Sequence, residues 1–455
     1  MTWLTLFELA DMCGGALRGI TDEAAGALNI VRVERDSRQV AAGDLFLALK
    51  GENFDAHDFV PDVVGLASAT LVEHYVEADI PQVVVSDVRY AMGQLGVAWR
   101  NCFSRPVIAL TGSNGKTTLK EMITAILSES GSTHSTRGNL NNDLGVPLTL
   151  YELRPGQHDY AVIEMGANHF GEIEYLANLV RPDVAVLNNA GAAHLEGFGS
   201  VAGVARAKGE IFSGLSDAAV AIINADDDYA EYWRELNKSR RVISFGMDNT
   251  TANVKGVSGN NGLLLMGFEN QSVEVNLPLL GKHNAMNALA AAAAVLPLGI
   301  RLEAVKAGLE KLQPVQGRLC PLRGSGGELI IDDTYNANPS SALAAIRVLA
   351  QQNGRTLLVL GDMGELGVDG MDMHAEIGRQ AALLGIDALY GIGEMSVAAC
   401  DAFGSGAVAC HDMDELLKLL NTLQLNENNS VLVKGSRSAR MERVVDALVK
   451  QEVAA

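Results

Sequence analysis

Residues 107–118 read V-I-A-L-T-G-S-N-G-K-T-T, and this run limits the possible folds more than any other stretch. Val107 to Leu110 is apolar and partly β-branched, the composition of a buried strand. A glycine turn follows, then Lys116, Thr117, Thr118 and a helix-forming segment from Leu119 to Leu127. Gly112 and Gly115 let the backbone turn tightly around Ser113 and Asn114, so that N–H groups can converge on phosphate oxygens. The new helix adds its positive N-terminal end. Lys116 can neutralise phosphates, and the Thr117 hydroxyl can hold Mg²⁺. The usual phosphate loop has a glycine five residues before its second one, where this chain has Leu110, so the loop is compact. A nucleoside triphosphate with Mg²⁺ is the expected ligand.

The 455 residues are 48% apolar, enough for several domains with large cores. A formal charge of −20 excludes a general nucleic-acid binder. The cysteines Cys13, Cys102, Cys320, Cys400 and Cys410 are odd in number and scattered. They suggest neither a disulfide framework nor a zinc site, and fit a reducing cytoplasm. Glu8 and Asp11 interrupt the first apolar residues, unlike a signal peptide. The run Ala288 to Ile300 is too short for a membrane span and reads as a buried helix.

Strand-like and helical runs alternate, which implies an α/β architecture with mostly parallel sheets. Three domains are expected: a small α/β domain over 1–86, a central domain over 87–315 with the phosphate loop on a mostly parallel sheet, and a doubly wound, Rossmann-like domain over 316–455. Expected strands include Asp44 to Leu49, Ala69 to Val72 and Gln82 to Val85 in the first. The second has Tyr160 to Met165, Val184 to Leu187 and Val220 to Ile223, with a helix over Tyr90 to Arg100. The third has Leu329 to Ile331, Thr356 to Leu360 and Val431 to Val433.

Several polar residues sit where those strands end, the place where such sheets bind ligands. Glu164 closes one strand and reads either as a Mg²⁺ carboxylate or as a surface acid. His194 follows another and alone reads as a structural histidine. Lys208 begins a helix-like segment and alone reads as solvated. Asp332 and Asp333 precede a helix; they can hold ribose hydroxyls or a substrate amine, or simply cap it. Lys434, Ser436 and Arg437 form an anion site or a plain turn.

Together these pieces resemble the Mur ligases, the ATP-dependent amide-forming enzymes of peptidoglycan precursor synthesis, over essentially the whole chain. The resemblance implies that Lys116, Glu164, His194 and Lys208 are catalytic, and that Thr117, Glu164, His194 and Lys208 serve two Mg²⁺ sites. It implies that Lys208 is carbamylated, which would make it an anionic ligand. Asn287, in H-N-x-x-N after Lys282, matches the family's adenine contact, and Arg318 and Asp333 match its C-terminal nucleotide contacts. The stretches Gly138 to Pro147, Ala193 to Ser200, Asp333 to Pro339, Gly361 to Gly367 and Lys434 to Arg437 look like the member that joins D-Ala-D-Ala to UDP-MurNAc-tripeptide. Substrate contacts then fall on Asn141, Asn142, Tyr335, Asn336, Asn338, Lys434, Ser436 and Arg437, and on Ser37 and Arg38 for the UDP end. A monomer without membrane segments is expected. The rivals are the third-residue ligase, a folylpolyglutamate-type ligase and a non-ligase P-loop ATPase. A GTPase is disfavoured because Asn237-Lys238-Ser239-Arg240 has Arg where guanine recognition needs Asp.

Overall fold

The computed structural model describes residues 4–51, 53–259 and 262–449. Its strands form three large sheets in chain order. The first runs Ala16–Arg18, Gln82–Val84, Ala69–Val72, Asp44–Leu47, Arg32–Glu34, parallel except for its first pair. Leu45 and Leu47 face one core, with helices Leu6–Met12 and Val88–Cys102; Phe46 and Ala48 face another. Burial on both faces explains the unbroken apolar run in this strand. Helix Val88–Cys102, capped by Asp87, was expected to open the central domain; its apolar face instead packs into this first core, while Met92 O accepts from Tyr151 Oη at 2.7 Å.

The central sheet has nine strands: Gln271–Asn276, Leu263–Phe268, Val254–Ser258, Arg241–Gly246, Val220–Asn224, Val184–Leu187, Val107–Thr111, Tyr160–Glu164, Thr133–Ser135. The last seven are parallel, and the first two add an antiparallel edge. Helix Lys116–Ser128 and the alanine-rich Lys282–Val295 cover one face; Glu172–Val180 and Val201–Gly209 cover the other. From Val107–Thr111 the chain leaves to one side by Thr133–Ser135 and later to the other by Val184–Leu187. The phosphate loop therefore sits at a topological switch point, where such sheets open a crevice.

The third sheet runs Cys320–Arg323, Leu329–Asp333, Asn429–Lys434, Arg355–Gly361, Ala388–Ile392, Ala407–Cys410, parallel after its first hairpin. Its carboxyl edge faces that of the central sheet across a cleft. Another expectation needs correction. Lys208 does not begin a helix but lies in the last turn of Val201–Gly209, because the Ser200 hydroxyl caps that helix earlier, accepting from Gly203 N at 3.1 Å. Among the described residues, no helix is long and apolar enough to cross a membrane.

Candidate active site

The cleft between the two sheets encloses about 800 Å³. On its central wall the phosphate loop is braced by two asparagines at the end of Val184–Leu187. Ser113 N donates to Asn189 O at 3.1 Å, and Asn114 N to Asn189 Oδ1 at 2.9 Å. Asn188 Nδ2 donates to Asn114 O at 3.1 Å and to Asn287 Oδ1 at 2.8 Å. Gly115 turns the chain at φ +77°, and no side chain caps the helix it starts. The first N–H groups of that helix are thus available to an anion. Lys116 folds back, with Nζ donating to Gly112 O at 2.7 Å and Ser113 O at 3.3 Å. Burial draws its ammonium below the usual lysine range, and Glu164 opposes this.

Glu164 is almost fully buried at the end of Tyr160–Glu164. Its Oε1 accepts from Asn141 Nδ2 at 2.8 Å and from Thr117 Oγ1 at 3.5 Å. Its Oε2 has no hydrogen-bond partner among the described residues. A buried carboxylate oxygen left open beside a hydroxyl suits a hard cation that takes its other ligands from phosphate and water, as Mg²⁺ does. No three His, Cys, Asp or Glu side chains converge as a metal cage among the described residues.

The opposite wall comes from the C-terminal sheet. Arg318 Nη2 donates to Thr117 Oγ1 at 3.1 Å, and its guanidinium lies 4.0 Å over the Tyr335 ring. Asp332 fixes the segment that carries Arg318, accepting from Gly317 N at 2.9 Å and from Thr334 Oγ1 at 2.6 Å. Asp333 accepts from Leu319 N at 3.2 Å and holds Lys434 Nζ at 2.5 Å. Lys434 is buried, so its charge is spent on Asp333 rather than offered freely. Across the cleft His194 Nδ1 lies 2.5 Å from Glu365 Oε2. The cleft lining contains ten asparagines, with four acids (Glu164, Glu172, Asp333, Glu365) against Lys116, Arg318, Lys434 and Arg437.

A Mur ligase middle domain matches residues 110–295, and a Mur ligase glutamate ligase domain matches 317–437. Over 454 residues the chain is 45% identical to UDP-N-acetylmuramoyl-tripeptide--D-alanyl-D-alanine ligase of Escherichia coli (strain K12), covering 98% of this chain and 99% of that one. The chain belongs to the Mur ligase family. A crystal structure of MurF from Acinetobacter baumannii is 41% identical, with a TM-score of 0.92 and 98% of each chain covered. MurF ligase from Thermotoga maritima in complex with ADP is 28% identical, with a TM-score of 0.81 over 92% of this chain and 96% of that one.

This Mur ligase is an ATP-dependent ligase. The cleft gathers Ser113, Asn114, Gly115, Lys116, Thr117, Thr118, Asn141, Asn142, Glu164, His194, Asn287, Arg318, Asp333, Tyr335, Asn336, Asn338, Lys434, Ser436 and Arg437. Gly112 lies just beneath, as the acceptor for Lys116. Ser37 and Arg38 lie outside its lining, on the first domain, where an exposed Arg38 pairs with Asp36 at 2.7 Å. Lys208 stands one layer behind the cleft. It is fully buried, with Nζ donating to Ala167 O at 3.3 Å and lying 5.5 Å from the Phe198 ring centre. Burial, aided by Lys116, lowers its pKa to about 7, while Glu172 and Glu210 pull it up. Sequence reasoning gave no roles to Asn188, Asn189, Ser340 or Glu365. The available signals were the Asn188-Asn189 pair directly after a buried strand and, for Glu365, the Gly361 to Gly367 stretch.

Proposed function

We propose that this Mur ligase joins D-alanyl-D-alanine to the terminal carboxylate of UDP-MurNAc-tripeptide at the expense of ATP, in peptidoglycan precursor synthesis. The observation that carries the reading is the shared cleft: a phosphate loop, Thr117 and Glu164 on one wall, and Arg318, Tyr335, Ser436 and Arg437 on the other. The full-length similarity to ligases named for this reaction supports the choice of substrates.

A carboxylate does not condense with an amine until its oxygen becomes a good leaving group. Here the tripeptide carboxylate attacks the γ-phosphate of ATP, giving an acyl phosphate and ADP. The amine of D-Ala-D-Ala then attacks the acyl carbon and expels phosphate. The protein's share is mainly positioning and charge neutralisation. The uncapped N–H groups at the start of helix Lys116–Ser128, together with Lys116, hold the triphosphate, and Arg318 faces it from the other domain. Thr117 and Glu164 are the residues that fit Mg²⁺, which when bound would offset phosphate charge. His194 and a carbamylated Lys208 would serve a second ion. A lysine with a pKa near 7 is in part the neutral amine that carbamylation needs, which supports this assignment. The first domain would take the UDP end, through Ser37 and Arg38, and let the peptide reach the cleft. Five free cysteines fit action in the cytoplasm.

The test is phosphate release from ATP with UDP-MurNAc-tripeptide, with and without D-Ala-D-Ala. Release should require both. Release that ignores the dipeptide, or answers to a single amino acid, overturns the reading.

A further inference from the structure

The side chain of Asn114 lies in the phosphate loop, yet its partners are in the C-terminal domain. Asn114 Nδ2 donates to Ser340 Oγ at 2.8 Å. Ser340 Oγ donates to Asn338 Oδ1 at 2.9 Å. Asn338 Nδ2 donates back to Asn114 Oδ1 at 2.8 Å. The three residues close a ring of hydrogen bonds between segments more than 220 residues apart in sequence.

Because Ser341 N donates to Asn338 Oδ1 and so fixes that amide, the ring has one sense only. An inverted Asn114 amide would turn its nitrogen toward the Asn338 nitrogen, donor against donor. Its far side is stiff. Asn338 Oδ1 also accepts from Ser341 N at 2.9 Å, and Ser341 Oγ accepts from Asn338 N at 3.0 Å, a reciprocal cap on helix Pro339–Leu349. Its near side is stiff as well, because the Asn114 backbone is gripped by Asn188 and Asn189 through its carbonyl and by Asn189 through its N–H. Hydrogen bonds lose most of their strength once their geometry opens, so a small rotation of either domain breaks the whole ring.

We propose that Asn114 and Ser340 are positioning residues for ligation: their ring with Asn338 locks the phosphate loop to the C-terminal domain and so couples the placement of that domain to the loop's catalytic geometry. This rests on the ATP-site reading above. In it, the Asn114 carboxamide serves the joint between the two walls of the cleft and does not hold the nucleotide. Phosphate contact falls to the neighbouring N–H groups and Lys116.

The test uses the full chain with Asn114→Ala, Ser340→Ala, the double variant and Ser340→Thr. ADP affinity is measured by titration calorimetry with Mg²⁺, and kcat by phosphate release with both substrates. Each alanine variant removes two ring bonds of modest net worth, so kcat should fall roughly tenfold. ADP affinity should stay within about threefold of the parent, a net effect smaller than one hydrogen bond. The double variant should be no slower than Asn114→Ala alone, because one ring is broken once. Ser340→Thr keeps the hydroxyl and should restore most of kcat. Multiplying losses in the double variant, or normal turnover in Ser340→Ala, would overturn the coupling. So would an ADP affinity that falls in step with kcat in Asn114→Ala, since the carboxamide would then hold nucleotide. Failure of the parent chain to bind ADP is a separate result and would defeat the ATP-site reading itself.

Discussion

Gly115→Ala is the sharpest test of how the phosphate loop is built. A Cβ at this position would lie 2.7 Å from Asn287 Oδ1, 2.9 Å from Asn287 Nδ2 and 3.1 Å from Asn188 Nδ2. The backbone sits at φ +77°, where an L side chain costs about 1–2 kcal/mol. Asn287 is buried and would have to retreat, breaking the 2.8 Å bond from Asn188 Nδ2. Disrupting a buried bond of this kind costs about 1–3 kcal/mol. The combined penalty, about 2–5 kcal/mol, falls on the loop conformation that faces phosphate. At about 1.4 kcal/mol per tenfold, ADP affinity should drop at least roughly thirtyfold. Titration calorimetry with ADP and Mg²⁺ reads the loss directly, and circular dichroism checks that the sheets remain. An affinity within about threefold of the parent would mean that neither the turn nor the Asn287 contact shapes the anion site.

Other perturbations probe other parts of the molecule. Lys434→Met should destabilise the chain by about 3–5 kcal/mol in denaturant melts, because it strands the buried Asp333 carboxylate. Asp333→Asn combined with Lys434→Met should recover most of that, and a neutral single variant would show that the pair does not seat Asp333. Burial pushes the His134 imidazole from 6.5 down to about 4, beside the stacked His158. Between those values the unfolded chain takes up a proton that the folded one refuses. Stability is therefore lost as pH falls through that window, by up to about 3 kcal/mol. His134→Gln should flatten this acid limb, and an unchanged slope of unfolding free energy against pH would refute the assignment. For Lys208, a pKa of about 7 means that the neutral amine grows as pH rises through that value. A carbamate signal in carbon-13 NMR with labelled bicarbonate should strengthen between about pH 6 and pH 8 and be absent from Lys208→Met. A signal that persists in that variant would place the carbamate elsewhere.

What the sequence revealed was local. The strand, glycine turn and lysine of 107–118 lie within a dozen residues, and their order dictates a phosphate loop. The place of Glu164 was legible because the apolar run before it stops there, and its burial sets aside the surface-acid reading. The antiparallel edge, Leu263–Phe268 with Gln271–Asn276, was missed: the apolar run of the first is strand-like, but its partner is mostly polar and exposed and carries no buried-strand signal. The burial of Lys208 was illegible for a different reason. Only packing against Phe198 and the Ala167 carbonyl removes it from water, and neither is adjacent in sequence. Lys434 looked like a free cation because Asp333 stands 101 residues away. The bracing of the loop by Asn188 and Asn189 likewise joins segments about 75 residues apart. Pattern reading finds groups that a strand end presents; it does not find which distant group claims them.

The evenly balanced, asparagine-rich lining of the cleft bears on how the protein responds to ionic strength. The chain carries −20 overall, yet the proposed acceptor substrate and the nucleotide are both polyanions. Four acids and four cations cancel within the cleft, and the remaining contacts are neutral carboxamides. Acids farther away than the roughly 8 Å Debye length of physiological saline are largely screened. Capture of the anions is then left to groups that act at contact range: Lys116 and Arg318 set directly against phosphate, the helix N-terminus and the carboxamide dipoles. Affinity built this way should change little as the surrounding salt rises or falls, unlike that of a site made from a lysine-rich patch.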